Sequence, residues 1–261
     1  MSDAPVEIHP TAVVAEDARL GTGVSIGPYA VVDADVEIGD RVTIGPHAHI
    51  ADGARLSEDV RVFMSASVSE IPQDMKFAGE QTTLEVGPRT VIREFCTLHR
   101  GTDDRWKTVI GADCLLMNYV HIAHDCVVGD HAILANAVQV GGHVEIGEWA
   151  IIGGSTPVHQ FCRVGDHAMV GGGFRVVQDV PPYLRVAGEP LRPAGLNSVG
   201  MRRRGFSDEA LATLKRAYRI LFRSNLNMTQ AIAHVREELP PIPEVNHLLE
   251  FIETSERGIV G

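Results

Sequence analysis

Aromatic side chains are scarce: Phe, Trp and Tyr together make up 5% of the 261 residues. A core cannot rest on large rings here and has to be built from aliphatics. Cations are outnumbered as well, with 23 Lys and Arg against 34 Asp and Glu and a formal charge of −11, so no broad cationic face is available for nonspecific binding of nucleic acid. No run of about 18 apolar residues occurs, and the first ten residues, MSDAPVEIHP, lack the basic start and apolar segment of a leader. These absences lead us to expect a cytoplasmic protein with no stable membrane insertion. Cysteine is rare too, and its four copies show no CxxC spacing.

What the chain has is a hydrophobic residue every six positions. Ile8, Val14, Leu20, Ile26, Val32, Ile38, Ile44, Ile50, Leu56, Val62 and Val68 hold one phase; Val86, Ile92 and Leu98 resume it, and so does the run from Ile110 through Val176. A small or β-branched residue stands four positions after most of them, as at Ala12, Ala18, Val24 and Ala30, and Gly often follows the aliphatic directly. A helix of period 3.6 cannot keep every sixth residue on one face, whereas a short strand followed by a corner can. Repeats this short bury nothing alone and must stack, with parallel pairing about 4.8 Å apart. Three hexads close one triangular coil. A sandwich of amphipathic strands would instead need hairpin turns and variable spacing. The period does not set the hand of the coil. Cys114, Cys126 and Cys162 fall on the small inward position, which reads them as buried thiols.

Two polar insertions break the repeat, one near residues 69–83 with the sequence IPQDMKFAGE and one near 101–108 with GTDDRWKT. Insertions on a solenoid map to one face and often carry function. The β-helical part is expected over residues 1–186, ending where Pro181 and Pro182 remove backbone donors. A linker over residues 187–195 then leads into a C-terminal helical domain, 187–261. Three helices are predicted there: one capped by Ser207, one starting near Thr229 and one at Pro243. They would cover the open end of the solenoid or pack on a neighbouring subunit.

Histidine is the informative class, with twelve copies. His124 and His143 belong to hexads one full coil apart, so they become neighbours on the outer surface, with His121, Asp125, Gly141 and Gly142 beside them. An imidazole next to a carboxylate can act as a general base near neutral pH. The pair His121 and His124 raises zinc as an alternative, but on a strand two residues three apart face opposite ways unless a corner intervenes, and no cysteine pair completes a set. No metal is expected. Arg202, Arg203 and Arg204 precede the first predicted helix, where cations oppose the dipole; an anionic ligand such as a diphosphate would explain them. Asp74 and Lys76 in the first insertion are plausible ligand contacts.

The segments QDMKFAGE, TLHRGT, HIAHDC, AIIGGSTPVHQFC, MVGGG, QDVPPY and RRRGFS closely resemble the bacterial acyl-(acyl carrier protein):UDP-N-acetylglucosamine O-acyltransferases, which catalyse the first step of lipid A synthesis. The resemblance runs through essentially the whole chain; the hexads alone would indicate only the wider hexapeptide-repeat acyltransferases. It implies a left-handed parallel β-helix, a homotrimer with clefts between subunits, and His124 as the base that takes the sugar 3-hydroxyl proton. It further implies Asp125 as its assistant and the Gly142 N–H as oxyanion donor. Asp74, Lys76, His99, His121, His143 and Gln160 match sugar-side and cleft residues. Asn197, Arg203 and Arg204 match nucleotide and phosphate contacts, and Gly172 matches the position that opens or blocks the acyl groove. No metal or prosthetic group is implied, since acyl carrier protein brings phosphopantetheine.

Phe174, Arg175 and Val199 depart from better-known members and bear on groove length and nucleotide contact. An acidic carrier protein meeting an acidic enzyme calls for a local basic patch, for which Arg202 and Arg219 are the expectation. The acceptor could be UDP-N-acetylglucosamine or its 3-amino analogue. Three rivals remain. The related N-acyltransferases carry a uridine-binding domain ahead of their hexads, which here begin at Ile8. A β-helical carbonic anhydrase would need zinc, and a scaffolding solenoid would bind no nucleotide sugar.

Overall fold

Each hexad folds as one short strand and one corner in the computed structural model, which describes residues 5–261. Most strands are two residues long, for example Val13–Val14, Arg19–Leu20 and Ser25–Ile26. Successive strands join three different sheets, and each pairs in parallel with the strand three hexads on: Ile8 lies beside Ile26, Val14 beside Val32 and Leu20 beside Ile38. The sheets, of 11, 8 and 8 strands, are the sides of a left-handed parallel β-helix. We number the corners by the sheets they join: the first leads from the first sheet to the second, the second on to the third, and the third back to the first.

The hexad aliphatics stack into columns inside the prism. Along the first sheet Ile26, Ile44, Val62, Ile92, Leu116, Leu134, Ile152 and Val170 follow one another, none more than 3% exposed. The small position just before each strand completes the core. All four cysteines occupy it, Cys96 joining the three recognised from spacing, and burial pushes the Cys96 and Cys126 thiols up to about 12. They are packing groups, not nucleophiles.

The corners explain two other features of the repeat. Their third residue adopts a left-handed conformation, as Tyr119, Asp125 and His131 do with φ near +60° (63°, 59° and 58°), at about 1 kcal/mol or more each for a residue other than glycine. Coil-to-coil bonds offset that cost, with the third residue's N–H donating to the previous coil, for instance from His143 to the His124 carbonyl at 3.1 Å. The glycine after the aliphatic answers to the next coil: a Cβ on Gly129 would stand 2.7 Å from the backbone nitrogen of Glu148.

Both insertions leave the prism at the second corner, between the strands Ser67–Glu70 and Thr83–Val86 and between Thr97–His99 and Lys107–Ile110. The stack resumes in register after each, with Val86 beside both Leu56 and Ile110. Every hexad therefore keeps its face despite the excursions.

The C-terminal region differs from expectation in three respects. Stacking does not stop at the prolines, because Leu184–Ala187 adds a further parallel strand, Val170 pairing with Val186. The expected linker is part of a β-hairpin, with Arg192–Leu196 running antiparallel to Leu184–Ala187, so the first sheet ends in a closed turn. Four helices follow, not three: α1, Ser198–Arg203; α2, Asp208–Arg223; α3, Met228–Glu238; and α4, Pro243–Glu253. The short α1 escaped notice because it has a single turn's worth of apolar pattern. Ser207 caps α2 as expected, while α3 starts from a capping box of Asn227 and Gln230. The prolyl carbonyl of Pro193 in the hairpin accepts from Tyr218 Oη and Arg223 Nη2 of α2, tying the helices to the sheet end. No helix among the described residues is long and apolar enough to cross a membrane.

Because glycine at these corners is dictated by the neighbouring coil, Gly129→Ala should destabilise the protein by about 1–3 kcal/mol. Denaturant unfolding would check this, and an unchanged midpoint would refute the steric account.

Candidate active site

The second corner after Ile122 consists of Ala123, His124, Asp125 and Cys126. His124 takes its second position, which points away from the core, and Asp125 takes the left-handed third position. That backbone turn folds the Asp125 side chain back beside the imidazole of its own neighbour: His124 Nδ1 and Asp125 Oδ2 are 2.8 Å apart. One coil on, the second position is Gly142 and the third is His143; one coil further it is Gln160 and Phe161. The 18-residue register thus stacks His124, Gly142 and Gln160 in one column and Asp125, His143 and Phe161 in the next.

The Asp125 carboxyl is fully buried. Burial pushes its pKa up, but hydrogen bonds from the Thr102 hydroxyl, from His124 and from the Thr102 N–H, together with His143 nearby, bring it below the ordinary carboxylate range. An ionised carboxylate only accepts, so the shared proton sits on His124 Nδ1 and leaves Nε2 as the basic nitrogen. The two neighbouring imidazoles, His124 and His143, meet edge to face with centroids 5.1 Å apart. His143 also stacks on Phe161 at 4.5 Å and holds Asp104 at 3.1 Å through Nδ1. Burial lowers the His143 pKa, outweighing the opposite pull of Asp125.

Gly142 lies against the His124 imidazole. A Cβ there would come within 2.8 Å of His124 Cε1 and 2.9 Å of Nε2, so any side chain would displace the imidazole. The N–H of a corner's second residue has no backbone partner in this coil geometry, and that of Gly142 makes no hydrogen bond among the described residues. A donor without a partner next to a basic nitrogen is what an oxyanion forming beside His124 would need.

His99 and His121 extend the strip. Their rings meet edge to face at 5.1 Å, His99 Nδ1 reaches the Ile71 carbonyl at 2.6 Å and His121 Nδ1 the Thr97 hydroxyl at 2.8 Å. Burial, then the charges of His99 and His124, hold His121 down to about 4. It is a neutral hydrogen-bonding group near pH 7. A corner does intervene between His121, on the strand His121–Ile122, and His124, so the two need not face opposite ways.

The Ile71 carbonyl that His99 holds begins the first insertion. Asp74 and Lys76 lie farther along that loop, the Lys76 N–H donating to Asp74 Oδ1 at 2.9 Å, and neither side chain touches the histidine strip. The rest of the expected site is elsewhere in the chain. Gly172 is at the first corner, where a Cβ would meet the Gly154 carbonyl at 3.1 Å; beside it Phe174 packs on the core and Arg175 pairs with Glu189 at 2.8 Å.

Asn197, Arg203 and Arg204 gather at the third corner. Asn197 is buried, accepts from the Gly200 N–H and donates to the His167 carbonyl; it caps α1. Arg204 stacks over Trp149 at 4.6 Å, and burial followed by that guanidinium's charge holds His167 to about 4. The dipole argument for the arginine run is corrected here: Arg202 and Arg203 occupy the last turn of α1, where cations are favoured. They need no anion to explain them. Val199 is exposed on the same helix.

Sequence reasoning missed Thr102, Asp104 and Arg105. The second insertion stood out as a functional excursion, but nothing in its composition told which residue turns inward. One nitrogen each from His124 and His143 and an oxygen of Asp125 lie within 4.8 Å of one another, close enough to surround a cation. The Asp125 oxygens, however, already accept from His124, Thr102 and the Arg105 N–H, and a metal would have to displace those donors.

Comparison with known proteins accords with this geometry. Residues 179–260 match the model of the second domain of UDP-N-acetylglucosamine O-acyltransferases, and residues 17–52 and 107–138 match the bacterial transferase hexapeptide repeat. An acyl-(acyl-carrier-protein)–UDP-N-acetylglucosamine O-acyltransferase from Chlorobaculum tepidum is 59% identical over 94% of this chain and 93% of its own. One of the same name from Sulfurihydrogenibium is 56% identical over 97% and 94%. The crystal structure of a UDP-N-acetylglucosamine acyltransferase from Bacteroides fragilis superposes with a TM-score of 0.96 at 40% identity, covering 97% of this chain and all (100%) of the other. Its counterpart from Acinetobacter baumannii gives 0.94 at 43%, over 97% and 99%. With identity of this order along nearly the whole length, the chain belongs to the acyl-(acyl-carrier-protein)–UDP-N-acetylglucosamine O-acyltransferase family.

Proposed function

We propose that this enzyme transfers an acyl chain from acyl carrier protein to the 3-position of UDP-N-acetylglucosamine, the opening step of lipid A synthesis, with His124 as general base. The observation that carries the reading is the His124–Asp125 pair facing the unpartnered N–H of Gly142, in a chain of this family. With Nδ1 held by Asp125, His124 Nε2 takes the proton from the sugar hydroxyl as its oxygen attacks the thioester carbon. The Gly142 N–H receives the developing oxyanion. Collapse breaks the carbon–sulfur bond, and the proton on Nε2 goes to the departing phosphopantetheine thiolate. The His124 side chain and the Gly142 backbone N–H serve every step, and the thioester supplies the driving energy, so the proposed route calls for no metal or other cofactor.

The three expected residue sets lie at three different corners of one prism, and this supports a homotrimer in which neighbouring copies complete each site. His121, His143 and Gln160 would line the sugar side, and Arg203 and Arg204 of another copy the phosphates. Both substrates are soluble, which supports a cytoplasmic enzyme. The exposed arginines Arg202 on α1 and Arg219 on α2 offer the acidic carrier protein a local positive surface.

Purified protein should acylate UDP-N-acetylglucosamine from carrier protein loaded with 3-hydroxyacyl chains, and His124→Ala should lose about 10²–10⁴-fold in rate. A chelator should leave the rate unchanged; zinc-dependent activity would reverse the cofactor reading. Testing the 3-amino analogue and several chain lengths in the same assay defines acceptor and groove. No transfer from any donor to either acceptor would sink the assignment. Sedimentation should give three times the 28.2 kDa chain mass, and mixing inactive His124→Ala with inactive Arg204→Ala subunits should restore activity. Failure of mixed trimers to recover it would mean that each chain completes its own site. Finally, neutralising Arg202 and Arg219 together should raise the carrier-protein KM with little change in the sugar KM, and an unchanged carrier KM would remove that docking surface.

A further inference from the structure

The second insertion, residues 100–106, has no core of its own to bury, yet its residue Thr102 is only 5% exposed. What it covers is the Asp125 carboxylate. Thr102 Oγ1 donates to Asp125 Oδ2 at 2.6 Å, while the N–H groups of Thr102 and Arg105 donate to Oδ1 at 3.0 and 3.2 Å. The Asp104 N–H donates in turn to the Thr102 hydroxyl oxygen at 3.3 Å, which directs the hydroxyl hydrogen towards Asp125. Oδ2 therefore has two donors, Thr102 Oγ1 and His124 Nδ1, and the direction of its remaining lone pair is set by the first. A buried carboxylate is tolerated only when such donors surround it, and hydrogen bonds to a charged group are the stronger kind.

We infer that Thr102 is a positioning residue for the acyl transfer, its hydroxyl fixing Asp125 so that His124 presents Nε2 to the acceptor. The inference rests on the general-base role given to His124 above. The insertion is then a back wall to the base, separate from substrate: Thr102 touches neither sugar nor thioester and acts through Asp125 alone. Asp104, 3.1 Å from His143 Nδ1, sets the second imidazole from the same loop. One short excursion of the chain thus orients both rings of the pair.

The test compares Thr102→Val, which keeps shape and loses the donor, with Thr102→Ser, which keeps the donor. Valine should lower kcat about tenfold to a hundredfold while both substrate KM values stay within about twofold, and serine should restore kcat to within about threefold of the wild type. Nitrogen-15 NMR of histidine-labelled protein reads the same point without turnover. The His124 resonances, assigned by their loss in His124→Ala, should show Nδ1 protonated in wild type and serine variants and a mixed tautomer with valine. An unchanged kcat and tautomer with valine would overturn the proposal, as would a serine variant as impaired as valine or a loss carried by KM. If the wild type transfers no acyl group at all, the acyltransferase reading fails, and the NMR comparison alone decides whether Thr102 orients His124.

Discussion

The structure depends on parallel backbone pairing at a spacing of three hexads. Every coil donates its strand N–H groups to the next, as Ala123 does to the Val140 carbonyl at 3.0 Å and Gly141 to that of Val158 at 3.0 Å, and no residue can change register without moving its neighbours above and below. A slip of one residue would turn the aliphatic columns outward. The same register places His124 over Gly142 and His143 beside Asp125. Core packing and site geometry are therefore one constraint, and the site inherits the rigidity of the stack without needing a framework of its own.

Asp125 shows how a charge is accommodated in such a stack. A carboxylate with no exposure would normally be neutral, and an orphaned one would cost several kcal/mol. Three of its four donors come from the second insertion, and the fourth is the imidazole of His124. The insertion interrupts the repeat at the second corner because only a chain leaving the prism there can return over that carboxyl. Sequence irregularity, buried charge and the setting of the His124 imidazole form one chain of cause.

Much of this was legible before any coordinates. The six-residue phase specified strands, corners and coil length, and the 18-residue spacing predicted that His124 and His143 would meet. The family resemblance supplied the hand of the helix and the role proposed for His124. Local chemistry was harder to read where it depends on how an irregular loop closes: Thr102 and Asp104 look like ordinary loop residues until the carboxylate beneath them is seen. The arginine run was misread for a related reason. Without α1, Arg202 and Arg203 seemed to sit at the wrong end of a helix, and a helix of six residues leaves too little periodicity to find.

The corner geometry also bears on why this fold suits acyl transfer. Where a corner's second residue is not proline, the coil-to-coil backbone pattern gives its N–H no carbonyl partner, and some of these donors, such as those of Thr22, Ala112 and Glu148, are taken by an aspartate of the next coil. Most face solvent. Converting one into an oxyanion site takes a glycine, so that a neighbour can approach the backbone, and a base one coil away at the same corner position; Gly142 and His124 meet both conditions. Gly172 and the set of Asn197, Arg203 and Arg204 lie at the other two corners, and a stiff prism cannot bend to bring its own corners together. In the homotrimer proposed above, neighbouring copies would bring those corners to His124, so the stiffness that fixes the imidazole and the need for a second copy would have one cause.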